Sequence, residues 1–300
     1  MMLYIDNFAG NMQGVKEKIP YLKECNINCL HLMPFLDTPE GRSDGGYAVA
    51  DFRKVRPDLG TMKDLAELTE KCHEEDINVC MDFVMNHTSE DHEWAKRARA
   101  GEGEYMSRYF FYDNDEIPKK YEETVPQVFP TTAPGNFTYL PENGHYVMTT
   151  FYPYQWDLNY RNPRVFNEMM YNFLFLANQG MDIIRIDAVP YIWKELGTSC
   201  RNLKEVHTIA AEVCAVHEGT IQTALIESVS EHDPSMVTGR LSNNLLVHIK
   251  GDKGMIGRLA DVRLTECKGF YYLGELATIR LNKQFLVFLF SCRFKVCSCC

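Results

Sequence analysis

Arg185 and Asp187 sit inside an almost unbroken apolar run, Gly180-Met181-Asp182-Ile183-Ile184-Arg185-Ile186-Asp187-Ala188-Val189. Such a run reads as a parallel strand buried on both faces. Side chains alternate along a strand, so two charged residues two apart leave by the same face. An acid there is costly to bury unless it is paired or meets solvent at the strand's end. Two readings fit the pair: a salt bridge that fixes strand orientation, and a nucleophilic carboxylate at the mouth of a barrel, oriented by its arginine. The other polar residues at strand ends are Asp82, Asn86 and His87, and a glycine-rich loop supplies Asp44 and Tyr47. A carboxylate, a ring of Asp, His and Arg, and an aromatic face form a set suited to sugar. The ring stacks on the C–H face of a pyranose while the polar groups bind its hydroxyls. Taken singly, His87 fits a hydrogen-bonded core histidine and Tyr47 a packing residue; their joint placement at strand ends favours a site. No metal-ligand cluster competes for the role, and neither metal nor cofactor is expected.

The elements that must position these residues alternate. Leu3 to Phe8 reads as a first strand, Gly14 to Cys25 as a helix, and Asn28 to Pro34 as a second strand stopped by its proline. Thr61 is placed to cap a helix with Asp64 three residues on, and Leu65, Leu68 and Cys72 form its apolar stripe. Ile77 to Asn86 is a third strand. From His87 to Tyr160 the alternation stops in a segment rich in aromatics, proline and glycine, which reads as a functional excursion or a small subdomain. Asn162-Pro163 is a good helix start, the stripe from Val165 to Ala177 continues it, and the Ile183 to Val189 strand follows. The pattern predicts an α/β fold, a (β/α)8 TIM barrel left incomplete, with an inserted subdomain after the third strand. A doubly wound sheet is the rival, but the turn Phe8-Ala9-Gly10-Asn11-Met12 lacks its phosphate-binding glycines. The expected division is 1–87 as the first part of the barrel, 88–160 as the insert, 161–240 as its continuation, and 241–300 as a divergent or truncated segment.

A formal charge of −10 over 300 residues, without basic runs, argues against nucleic acid or anionic membrane as a partner. The start shows no signal peptide, and Phe285 to Phe290 is too short an apolar run to span a bilayer. Seven of the 11 cysteines are scattered singly, which suits reduced thiols and a cytoplasmic location. The other four, Cys292, Cys297, Cys299 and Cys300, lack the histidine or second knuckle of a zinc site.

Asp82-Phe83-Val84-Met85-Asn86-His87 resembles the D-x-V-x-N-H motif of the α-amylase superfamily, and Gly180 to Val189 resembles its nucleophile strand, G-x-D-x-x-R-x-D. Ser43 to Val49, Phe151 to Asn159 and Trp193 to Thr198 are similar to the amylosucrase branch, and the likeness runs from the first strand to about His207. The resemblance implies that Asp187 is the nucleophile that takes a glucosyl unit and that Arg185 holds it oriented and ionised. It implies that His87 binds a glucosyl hydroxyl, Tyr47 stacks under the glucose, and Asp44 shapes the closed end of the pocket. Phe129, Phe151 and Gln155 would border the fructosyl side, and Asp82 and Asn86 belong to the structural motif. The implied reaction cleaves sucrose with retention of configuration and passes glucose to an α-1,4-glucan or to water. A sucrose hydrolase, another α-glucosidase and a fragment that only binds sugar stay open as alternatives. An acid/base carboxylate would lie about 5–5.5 Å from the nucleophile.

Past His207 the pattern fades. Glu227, in Ala224-Leu225-Ile226-Glu227-Ser228-Val229, follows Asp187 by 40 residues and is the candidate acid/base at the end of a fifth strand, against a plain surface glutamate. The His232-Asp233 pair follows too closely to hold two further strands and is rejected as the third acid. The arginine expected to pair with Asp44 and the family's C-terminal β-domain have no counterpart, as expected of a truncated or frame-disrupted reading frame. The sequence does not fix the oligomeric state.

Overall fold

A computed structural model describes residues 1–214, 218–230, 233–241, 245–268, 271–279 and 296–297. His232, Cys292, Cys299 and Cys300 lie outside these. The described chain forms two compact units, one from Met1 to Arg201 and one beginning at Asn202.

The first unit is built on a parallel sheet whose strands are β1 (Met2–Leu3), β2 (Cys29–Leu32), β3 (Asn78–Val84) and β4 (Ile183–Asp187), side by side in that order. Leu30, Leu32, Val79, Met81, Phe83, Ile184 and Ile186 are buried. Each such side chain withdrawn from water stabilises the fold by about 1.5–3 kcal/mol. The helices between strands follow local signals. Thr61 accepts from the Asp64 N–H while the Asp64 carboxylate accepts from the Thr61 N–H, a reciprocal cap that starts helix Met62–Glu74. Asn162 caps helix Pro163–Ala177, which buries Val165, Met169, Phe173 and Leu176, and Phe173 meets Phe83 edge-on at 5.5 Å.

Two expectations change here. The first strand stops at Leu3, because residues 5–9 turn into a short helix closed by Gly10 at φ +78°. The helix expected over 14–25 is two helices, Met12–Glu17 and Ile19–Glu24, broken at Lys18 just ahead of Pro20. Residues 88–160 carry the short helices Glu93–Arg99, Gly103–Met106 and Glu116–Glu122. They also carry an antiparallel sheet of Phe111–Tyr112, His145–Met148 and Phe137–Leu140, in that order.

The second unit contains helix Lys204–Cys214 and strands β5 (Ile221–Val229), β6 (Met236–Leu241), β7 (Leu246–Lys250), β8 (Leu259–Cys267) and β9 (Tyr271–Ile279). The strands close into a barrel in the order β5-β6-β7-β9-β8, and only β7 and β9 run parallel. Ile226, Val237, Val247, Ile249, Val262, Leu264 and Tyr272 fill it. A Cβ on Gly274 would stand 2.6 Å from the Val262 side chain, so the small barrel needs glycine there. Residues 163–187 do continue the parallel sheet, but past them the expectation that 161–240 continues the barrel is corrected: β5 pairs antiparallel with both β6 and β8, and it is no fifth parallel strand.

Candidate active site

The site gathers at the C-terminal end of the parallel sheet. Register sets Arg185 of β4 opposite Asp82 of β3, and Asp187 opposite Val84. The Asp82 carboxylate, fully buried, accepts three hydrogen bonds from three elements. Arg185 Nη1 donates to Oδ1 at 2.8 Å, His31 Nε2 to the same oxygen at 3.1 Å, and the Tyr47 hydroxyl to Oδ2 at 3.0 Å. Burial pushes the Asp82 carboxyl up, yet the bonds from His31 and Arg185 outweigh it and hold it below its ordinary value.

Asp187 stands at the end of β4 with a quarter of its side chain open, at 24 % exposure, and Arg185 Nη1 lies 3.4 Å from its Oδ1. Burial raises its pKa; Arg185 opposes that, while Asp82 and Asp44 add to it through like charge. The next residue, Ala188, takes the left-handed conformation at φ +54°, turning the chain away at the carboxylate. Arg185 is thus shared between two acids, binding Asp82 closely and Asp187 at longer range.

Asp44 and Tyr47 come from one tight turn. Asp44 itself is left-handed at φ +50°, and Gly45 and Gly46 follow at +65° and +99°. A Cβ on Gly46 would fall 2.7 Å from Pro34 Cβ, so the turn packs its backbone directly on the end of the second strand's loop. In place of an arginine, Asp44 has Gln155, whose Nε2 donates to Oδ2 at 3.1 Å, and burial raises the Asp44 carboxyl. Gln155 Oε1 in turn accepts from the Tyr152 N–H at 3.1 Å.

His87 lies beneath, fully buried. Its ring is 5.1 Å from Phe151, which continues to Phe129 at 6.2 Å and to Tyr191 at 5.2 Å; Phe129 reaches Tyr152 at 5.0 Å. Burial lowers the His87 pKa to about 4, with Asp157 and a hydrogen bond to the Tyr47 backbone opposing and Lys194 adding, so the imidazole is neutral near pH 7. Asn86 bonds His87 Nδ1 at 3.2 Å and Asp157 Oδ1 at 3.2 Å. Lys194, also fully buried, meets Asp157 at 2.8 Å and Asn86 Oδ1 at 2.9 Å.

The structure therefore joins Arg185, Asp187, Asp82 and Tyr47, joins Asp44 with Gln155, and joins Asn86, His87, Phe151 and Phe129. Glu227 is not among these bonded groups. That residue lies on β5 of the second unit, and Arg240 Nε grips both of its carboxylate oxygens at 2.8 and 3.0 Å. A β-bulge between Ile226 and Ser228 sets its position, so the strand-like reading holds while the fifth-strand role is corrected. Sequence reasoning missed His31, whose signal is an imidazole inside an otherwise apolar strand. It also passed over Asp157 and Lys194 as working groups; no short-range spacing links them.

The alpha amylase catalytic domain family matches residues 5–247. The chain is 37 % identical to trehalose synthase of Pimelobacter sp. (strain R48) over 206 residues, 68 % of this chain and 35 % of that one. It is 38 % identical to trehalose synthase/amylase TreS of Mycolicibacterium smegmatis over 199 residues, 66 % and 32 % of the two chains. Among solved structures it is similar to trehalose-6-phosphate hydrolase of Bacillus licheniformis, with TM-score 0.61 at 26 % identity over 70 % of this chain and 40 % of that one. The trehalulose synthase MutB of Pseudomonas mesoacidophila MX-45 gives 0.62 at 25 % identity over 70 % and 40 %. The chain spans about a third of the length of the curated relatives it matches.

Proposed function

Because the chain belongs to the alpha amylase catalytic-domain family, we propose that residues 1–201 carry the glucosyl-binding half of a retaining α-glucoside-active site, with Asp187 as nucleophile. The observation that carries this is the partly open Asp187 carboxylate beside Arg185, at a strand end enclosed by the sugar-binding set. In this reading one Asp187 oxygen attacks the anomeric carbon, the bond to the leaving oxygen breaks, and a glucosyl ester forms. Tyr47 supplies the ring face, and its bond to Asp82 fixes the ring's tilt. Asp44 and His87 bind hydroxyls. Residues 88–160 act as an insert that borders the leaving group through Phe129, Phe151 and Gln155.

The donor in this reading is sucrose and the acceptor an α-1,4-glucan or water. Support comes from the Asp44–Gln155 hydrogen bond, which in this reading closes the far end of the pocket and suits a short glucoside rather than a long chain. A second reading, conversion of one disaccharide to another, is favoured by the 37–38 % identity to proteins named trehalose synthase.

α-Glucosyl fluoride tests the nucleophile, because fluoride leaves without being protonated. The full chain should gain one glucosyl mass, located on the peptide holding Asp187, and Asp187→Asn should gain none. Labelling on another carboxylate, or equal labelling of the variant, overturns the assignment. Where turnover is measurable, faster cleavage of starch than of sucrose removes the short-donor reading, and isomerised disaccharide among the products favours the second.

A further inference from the structure

We propose that Lys194 is a positioning residue that sets the proton of His87 on Nε2, acting through the side-chain amide of Asn86. The inference rests on the reading of His87 as a sugar-binding group. Lys194 is fully buried and its ammonium has three acceptors: Asp157 Oδ2 at 2.8 Å, Asn86 Oδ1 at 2.9 Å and the Tyr191 carbonyl. An ammonium only donates, so the Asn86 atom facing it is the oxygen. A carboxylate only accepts, so the Asn86 atom facing Asp157 Oδ1 at 3.2 Å is the nitrogen. Charge on both sides thus fixes the amide, and flipping it would set like against like twice.

The consequence falls on the imidazole. The remaining Asn86 N–H points to His87 Nδ1 at 3.2 Å, which must accept. A neutral ring that accepts at Nδ1 carries its proton at Nε2. Burial keeps the ring neutral, and the nearby Lys194 charge adds to that. His87 Nε2 is itself buried without a well-formed hydrogen bond, and the Tyr47 backbone acts as an acceptor toward the ring, so an incoming oxygen would share this donor or take it over. The pocket therefore offers an N–H at this point and rejects a ligand that needs to donate there. A hydroxyl oxygen meets the requirement.

Nitrogen-15 spectra of histidine-labelled full chain test this directly. In the wild type the His87 signals should report a protonated Nε2 and a bare Nδ1. Asn86→Asp made together with Asp157→Asn, so that no second carboxylate faces Asp157, keeps the lysine contact and offers His87 Nδ1 an acceptor, so the proton should move to Nδ1. Lys194→Met strands the Asp157 charge, so the charge-free pair Lys194→Met with Asp157→Asn is the second variant. It should show both tautomers in exchange and bind glucose about twofold more weakly, as expected when about half of the rings present the donor. Finding Nδ1–H in the wild type, or an unchanged Nε2–H in both double variants, overturns the proposal. Glucose that leaves the Nε2 signal unmoved while the tautomers behave as stated supports the Lys194 assignment and removes the sugar-binding role of His87.

Discussion

Two carboxylates that share one arginine, Asp82 across the strands and Asp187 two positions along β4, end up with opposite titration. Asp82 is depressed by His31 and Arg185, against its own burial. Its contribution to stability is therefore present above the ordinary carboxylate pKa and is lost as pH falls through the depressed value. Asp187 is raised, mainly by burial, so its ionisation costs stability as pH rises through the raised value. Asp82→Asn should destabilise the chain at pH 7 by about 3 kcal/mol, the low end for breaking a buried pair because Arg185 is partly open, as read by denaturant titration. Asp187→Asn should raise the melting temperature at pH 7 and leave it unchanged at a pH where Asp187 is already protonated. Glucosyl labelling should fall away on the acid side at a pH above the usual carboxylate range. Arg185, Asp187 and Asp82 were legible because alternation alone puts charged residues on one face of an apolar strand. His31 and Lys194 were not, since their partners lie 51 and 108 residues away.

At the scale of elements, the Ser43–Tyr47 turn holds two site residues through one glycine. Gly46→Ala would force a Cβ to 2.7 Å from Pro34 Cβ at a backbone φ of +99°. It should cost more than about 1 kcal/mol and displace Asp44 and Tyr47 together, seen as lower stability and loss of glucose binding. Gly41→Ala, where a Cβ meets nothing within 4 Å, is the control for the backbone term alone. Caps and stripes were legible where the signal is local, as at Thr61 with Asp64 and at Asn162-Pro163. Residues 221–229 show why others were not. A strand inside a small closed barrel and a strand of a parallel barrel both read as short apolar stretches, and only pairing with distant residues tells them apart. Glu227 inherited its proposed role from that ambiguity.

At the scale of the molecule, the proposed nucleophile and glucosyl-binding groups belong to one unit, while Glu227, the acid/base expected from the sequence, belongs to the other. General acid–base help contributes about 10²–10⁴-fold. The 300-residue chain should release fructose from sucrose slower by that order than a version extended with the further length of its relatives, while accepting glucose from α-glucosyl fluoride. Comparable sucrose rates would mean that Glu227 or another carboxylate of this chain protonates the leaving oxygen. The second unit has its own filled interior, so residues 202–280 expressed alone should give a cooperative unfolding curve with a β-type circular dichroism spectrum.

The bond pattern around Asp82 also bears on how such a site changes over generations. Three donors from the second strand, the turn after it and the fourth strand all end on one buried carboxylate. Exchange of that acid alone strands an arginine, an imidazole and a phenol at once, so no single step away from it is neutral. Among descendants of this sequence, positions 31, 47, 82 and 185 should drift as a block: kept together, or replaced together by an apolar set that gives up the sugar.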